Sequence, residues 1–305
     1  MSATTAVVLQ SVAYLALVLF ASPLLEGVMR KVKAIIHSRK GPPIIQPYLD
    51  LAKLLIKEDL ASEPGLIARL APPAAFASVL AAAFFVPFGI GAPARSAGDL
   101  FLFIYLITLS SACIMAGGLA HSSPFSHVGS SREMMMVVTV EGVIITSLLI
   151  VGVSGHTGLL SDLTTTPFRW SFLLGLVCYL FAMQALLGKL PFDIPEAEQE
   201  IMEGPFIEYS GPSLALFKWA FYMKQLIFGS LFFGLFVGWP HLSGWGVVGS
   251  LVNFVVNFAA VLVLSLLVVL VDATNPRLRI DQSLRFFAGL IGVALLGVGL
   301  AAFGL

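Results

Sequence analysis

Eight apolar stretches, each long enough to cross a bilayer, constrain this chain more than any other feature. A helix needs about 20 residues to span roughly 30 Å of hydrocarbon, and the runs at 6–29, 67–89, 99–119, 134–154, 169–188, 214–238, 246–271 and 284–304 meet that length. Lipid offers no partner to a backbone N–H or C=O, so runs this continuous predict helices. The expected fold is all-α and integral to the membrane. It has eight transmembrane helices plus short cytoplasmic amphipathic helices, in a single polytopic membrane domain over 1–305. Composition agrees: 58% of residues are hydrophobic and 11% charged, against about 45–50% and about 25% in a soluble domain. Disorder, a nucleic-acid module and an ordinary soluble enzyme are thereby excluded. The first run lacks a basic n-region and is long enough to span, so it reads as a mature helix rather than a cleaved signal.

The charges are few and lopsided. Seventeen bases balance seventeen acids, so net charge argues for no nucleic-acid partner. Thirteen of the seventeen Lys and Arg fall in or beside the connections after spans 1, 3, 5 and 7, at 30–66, 120–133, 189–213 and 272–283. By the positive-inside rule that side is cytoplasmic and both termini lie outside. The first of these connections is broken by Gly41-Pro42-Pro43, and Pro47 can open a new helix. From Tyr48 to Ile56 the leucines Leu51, Leu54 and Leu55 recur at helical spacing, away from Asp50, Lys53 and Lys57. That pattern predicts a short amphipathic helix lying in the membrane interface or beneath a partner.

Ionisable residues inside apolar runs are costly and therefore suspect. Glu141 stands about seven residues into the fourth run, either hydrogen-bonded to a neighbouring helix or serving a proton relay. Lys224 stands about ten residues into the sixth run, too deep to snorkel easily, and calls for a carboxylate partner. Lys218 and Glu26, nearer the ends of their runs, can reach the headgroups. The connection 189–213 carries six acids, Asp193, Glu196, Glu198, Glu200, Glu203 and Glu208, against the single base Lys189. Asp193 and Pro195 resemble a helix start and Gly204-Pro205 its stop. On such a helix Glu196, Glu200 and Glu203 share one face and Glu198 points away. Crowded like charges separate their pKa values, which suits groups that exchange protons.

Two cysteines, Cys113 and Cys178, are too few for an iron–sulfur cluster, and five scattered histidines offer no metal-ligand pair on one helix. No Ser-His-Asp signature, phosphate-binding loop or dinucleotide fingerprint is present. No cofactor is expected in this chain. The glycines of Gly289–Gly304 read as a helix-packing surface.

Four segments carry a resemblance: Arg39-Lys-Gly-Pro-Pro-Ile-Ile-Gln-Pro-Tyr through Glu58; Gly129-Ser-Ser-Arg-Glu, with Glu141 nine residues after Arg132; Pro191-Phe-Asp-Ile-Pro-Glu-Ala-Glu-Gln-Glu through Glu208-Tyr-Ser-Gly; and Arg277-Leu-Arg-Ile-Asp-Gln. Over essentially the whole chain they are similar to the eight-span membrane subunit that joins the two arms of respiratory complex I. They are closer still to its counterpart in energy-converting group 4 [NiFe] hydrogenases and formate hydrogenlyase. Complex I proteins have a longer segment between the Gly-Pro and Gln-Pro of the first motif. Here only Pro43, Ile44 and Ile45 intervene, as in the hydrogenase branch.

The resemblance implies a subunit of a bacterial or archaeal cytoplasmic membrane that is not catalytic alone. Hydrogenase large and small subunits and an iron–sulfur subunit would hold the [NiFe] site and the clusters. An antiporter-like membrane subunit and the lipid bilayer would be its other neighbours. Carried over residue by residue, Glu141, Asp193, Glu196, Glu200, Glu203 and Glu208 match an acidic path from the redox arm into the membrane, with Lys224 beyond it. Arg39, Asp50, Lys53, Arg132 and Arg277 match docking and structural positions. The alternative is a complex I-type subunit with a quinone site. A stand-alone transporter fits less well, since the two halves show no internal repeat.

Overall fold

The computed structural model describes residues 3–60, 65–88, 92–94, 98–164, 166, 168–237 and 246–304. Regular structure among them is helical: α1 (Ala3–Ile36), α2 (Gln46–Ile56), α3 (Leu66–Ala83), α4 (Leu100–Leu119), α5 (Pro124–Gly155), α6 (Leu160–Leu163), α7 (Ser171–Leu186), α8 (Glu198–Ile201), α9 (Gly211–Phe232), α10 (Gly246–Thr274) and α11 (Ile280–Ala302). A 3-10 turn at Gly204–Phe206 and a π turn at Phe233–Val237 complete the helical segments. An isolated antiparallel bridge, Asp99 to Leu159, ties together the loops that lead into α4 and α6. Prolines open α2 and α5 in their first turns, where a missing N–H costs nothing.

Seven of these helices, 18 to 32 residues long, are long and apolar enough to cross a membrane. The run expected at 169–188 forms α7, which has 16 residues and reaches about 24 Å, short of a full hydrocarbon core. Gly188, at φ 57, ends it by turning the chain into the left-handed region that glycine tolerates. Helices also run further into the connections than hydropathy suggests. α5 begins at Pro124 rather than at 134, so the connection 120–133 is mostly helix. Only 275–279 separate α10 from α11.

α9 is the most enclosed of the spans and packs against α1, α2 and α3, while α5 packs against α4, α7 and α11. The main core threads these helices through Val18, Leu25, Val143, Leu148, Tyr179 and Phe228, all fully buried. Of the glycines expected to form a packing surface on α11, Gly297 packs within this chain, against Ile150 and Leu174, while Gly289, Gly292 and Gly299 face open space. Arg95, His241 and the side chain of Glu198 lie outside the described residues.

The amphipathic α2 forms as its leucine spacing predicts. Leu51 is buried against Ala215 and Tyr222 of α9, with Leu54 beside it, whereas Leu55 and Ile56 are exposed.

Candidate functional site

The acidic connection does not form the expected helix. α-Helical geometry before α9 is confined to the single turn of α8, and Met202, Glu203 and Gly204 follow in the left-handed region at φ 50, 70 and 51. Glu196, Glu200 and Glu203 therefore do not share a helical face. What fixes the segment is its neighbours. Leu190 N–H donates to Asp272 Oδ1 (3.0 Å), Leu278 N–H donates to the Pro191 carbonyl (2.9 Å), and Arg277 Nη2 donates to Asp193 Oδ2 (2.8 Å). On the other side two glycines let backbones touch. A Cβ on Gly129 of α5 would lie 2.6 Å from Gly204 Cα, and one on Gly204 would lie 2.2 Å from the Pro195 carbonyl oxygen. Ordinary side chains cannot make that approach.

Gly129 also marks the face of α5 that carries two acids. Glu133 is one turn further on and Glu141 two turns beyond that, so the three recur at i, i+4 and i+12. Glu133 lines a cavity of about 30 Å³ together with Glu196, Lys224, Ser111, Phe192 and Phe206, space for about one water. Glu196, Phe206 and Phe221 also wall a second cavity of about 270 Å³, which holds Glu26, Arg30, Lys189, Lys218, Glu203 and Tyr222. Glu196 thus stands in the partition between a broad polar chamber and a narrow one deeper in the bundle. Burial, reinforced by the nearby Asp193 and Glu133 carboxylates, pushes Glu196 up to about 8. At neutral pH it is mostly protonated and can give up or take a proton with little driving force.

Beyond the narrow cavity lies Glu141, 7% exposed, whose Oε2 accepts from Thr108 Oγ1 at 2.7 Å while Oε1 is buried without a hydrogen-bond partner. Lys224 is 2% exposed and donates to Ser111 Oγ at 3.5 Å, with its ammonium 5.5 Å from the centre of the Phe221 ring. The expected contact with a carboxylate is corrected: among the described residues no ion pair reaches Lys224, which donates to Ser111 Oγ instead. Glu133, Glu196, Lys224 and Glu141 together form a line of ionisable groups with no ion pair among them.

The remaining expected residues fall around this line. Asp193 is held by Arg277, and Glu200 by Arg132 Nη1 at 2.7 Å. That bond to Arg132 holds the Glu200 carboxyl below its usual range, on a side chain that is half exposed. Glu203 is exposed at the rim of the broad cavity, and Glu208 lines neither cavity. Asp50 accepts from Arg30 at 3.0 Å and from Gln46 at 2.9 Å, which places it within the bundle's own network. Arg39 and Lys53 are exposed.

Sequence reasoning missed three carboxylates. Glu133 was read as part of a connection, although its eight-residue spacing from Glu141 puts both on one helical face. Glu26 does not reach headgroups: it is 6% exposed and bridges Arg30 (3.0 Å) and Lys189 (3.5 Å). Asp272, 4% exposed, accepts from Lys33 at 2.6 Å as well as from Leu190. Burial works against the Lys189 charge, yet Glu26 and Asp272 hold its ammonium above the ordinary range. Among the described residues no group of His, Cys, Asp and Glu could hold a metal ion.

Fold and site define a polytopic helical membrane protein with a line of buried and half-buried ionisable groups. The chain belongs to the NADH dehydrogenase family, which it matches over residues 9–302. It is 35% identical over 291 residues to formate hydrogenlyase subunit 4 of Escherichia coli (strain K12), covering 92% of this chain and 94% of that one. It is 36% identical over 279 residues to hydrogenase-4 component C of the same organism, covering 89% of each. A subunit of the NADH-quinone oxidoreductase of Dehalococcoides mccartyi is 35% identical over 263 residues, covering 82% of this chain and 71% of that one. Among solved structures, a chain of the membrane-bound sulfane sulfur reductase, an archaeal respiratory membrane complex, superposes with a TM-score of 0.90 at 26% identity, covering 97% of this chain and 99% of that one.

Proposed function

We propose that this chain is the non-redox membrane anchor and coupling subunit of an energy-converting [NiFe] hydrogenase complex. Its charged face docks hydrogenase large and small subunits and an iron–sulfur subunit, which carry the redox centres. An antiporter-like subunit lies beside it in the bilayer. In this reading the charged face is cytoplasmic, both termini are outside, and α7 is the eighth span, its short length completed by the residues flanking it.

The observation that carries the proposal is the partition at Glu196. A carboxyl near neutral pKa separates a chamber at the charged face from a small cavity that leads, through Glu133, Lys224 and Ser111, to Glu141. Redox turnover in the docked arm changes the field at Glu196. A proton then moves inward, and the charge of the Glu133–Lys224–Glu141 group biases the neighbouring subunit. Glu203 serves the mouth of the path. Asp193, Glu200, Arg132 and Arg277 position it, and Arg39 faces the docked arm. The near-complete coverage of the formate hydrogenlyase and hydrogenase-4 subunits supports this branch.

Glu141→Gln, introduced into the intact complex, is expected to leave H₂ turnover measurable while abolishing the ion pumping coupled to it. Unchanged pumping would overturn the relay. A second reading, a complex I-type quinone site, draws on the 270 Å³ chamber with its Phe206, Phe217 and Tyr222 walls. Turnover blocked by a quinone-site inhibitor, or quinone retained by the purified complex, would select it instead.

A further inference from the structure

On the outer flank of the bundle, α1, α2 and α9 enclose an apolar groove of about 140 Å³, walled by Leu19, Phe20, Tyr48, Ala52, Leu55 and Trp219. Its origin lies in α1. Pro23 inside that helix has no N–H to donate to the Leu19 carbonyl. The indole N–H of Trp219 donates to that oxygen instead, at 3.2 Å, and the Tyr48 hydroxyl donates to the next carbonyl, of Phe20. Two aromatic side chains from two other elements thus brace the break and become the groove's walls. Phe20, at 66% exposed, and Leu55, at 44%, stand at its open side.

Three features fix the depth and surroundings of the groove. Tyr and Trp with one polar end satisfied and the ring in an apolar wall are typical of the headgroup boundary. The outer side of α2 is apolar and exposed at Ile45, Leu49, Leu55 and Ile56, as for a helix lying in the interface. The far end of α2 meets the start of α9, where Leu60 N–H donates to Ser210 Oγ at 2.9 Å. Toward that end α2 carries the exposed cations Lys53 and Lys57, followed by the exposed acids Glu58 and Asp59, of which Asp59 accepts from Ser213. An apolar slot opening on the bilayer beside two exposed lysines of the same helix fits one class of occupant.

We infer that this groove holds an acyl chain of an anionic glycerophospholipid, whose headgroup lies beside Lys53 and Lys57 of α2. The site is separate from the buried carboxylate line, and it requires only that the chain sit in a bilayer, so its failure leaves the coupling function untouched.

The test uses the full chain in detergent, with Trp219 as its only tryptophan after Trp170, Trp239 and Trp245 are changed to Phe. Phosphatidylglycerol and phosphatidylcholine bearing dibrominated acyl chains are titrated separately. Emission from Trp219 is expected to be quenched saturably, with phosphatidylglycerol half-saturating at a lower concentration by about fivefold for each lysine near its headgroup. Ala52→Phe, which fills the groove, is expected to remove the saturable phase. Lys53→Gln with Lys57→Gln is expected to keep it but lose the headgroup preference. Quenching that is linear in lipid, indifferent to headgroup or displaced by a long-chain quinone would overturn the inference. Should the single-tryptophan variant fail to fold, native mass spectrometry of the unaltered complex decides. One retained phosphatidylglycerol that Ala52→Phe removes supports the site, and retention unaffected by Ala52→Phe overturns it.

Discussion

The carboxylates that meet a cation and those that are left apart obey opposite rules. Five acids, the buried Glu26 and Asp272 among them, each have a cation in contact: Glu26 and Asp50 with Arg30, Asp272 with Lys33, Asp193 with Arg277, and Glu200 with Arg132, at 2.6–3.0 Å. Glu133, Glu141, Glu196 and Lys224 lie near one another without a contact ion pair among them. Pairing fixes a carboxylate in its charged state and in one place. Separation leaves its protonation free to follow the local field. The paired set is built to hold a shape, and the separated set to change charge.

The contrast can be strained at several points. Asp272→Asn should have the largest effect on stability, because it replaces the charged acceptor of both Lys33 and the Leu190 N–H at a site with almost no water. A loss of about 1.5–3 kcal/mol is expected, read as a lower unfolding temperature in detergent. Gly129→Ala acts where the acidic connection touches α5, so that the new methyl meets Gly204 backbone. About 1–3 kcal/mol is expected from such overpacking, together with a weakened Glu133–Glu196 cavity, measurable as lost coupling in the assembled complex.

Glu196→Gln probes the separated set directly. The native carboxyl titrates near 8 and the unfolded one near 4.5, so between these values the native state holds a proton that the unfolded chain releases. Stability contributed by this group therefore falls as pH rises from 4.5 to 8 and is level outside that window. Thermal unfolding across pH 5–9 should decline less in Glu196→Gln than in the unaltered chain, and equal slopes would refute the assignment. Smallest of all, Glu200→Gln removes a half-exposed ion pair and should cost under about 1 kcal/mol. A larger loss would mean that Arg132 is buried by a partner.

Much of this was legible in the sequence for a simple reason: in a chain this apolar, a charge is conspicuous. Glu141 and Lys224 stand out from their runs, and the leucine spacing of α2 is visible without a structure. The misreadings share a cause as well. Glu133 lies one residue outside the apolar run at 134–154, and hydropathy ends a helix where lipid contact ends, whereas the backbone of α5 continues to Pro124. The acidic connection has the residues of a helix start and stop, yet Asp272, Arg277 and the Gly129 contact hold it open, and none of these is local. Glu26 looked able to reach headgroups because its distance from the end of its run says nothing about which way it faces.

The sequence by itself therefore determined the solvent: helices long enough for lipid, a charged face, and acids gathered beside it. Those follow from one-dimensional pattern, since hydrophobic length and charge asymmetry are summed along the chain. Only the tertiary structure decided which acids meet a cation and which are left apart. Contact between charges depends on segments distant in sequence, and a carboxylate's pKa is set by what surrounds it rather than by what precedes it.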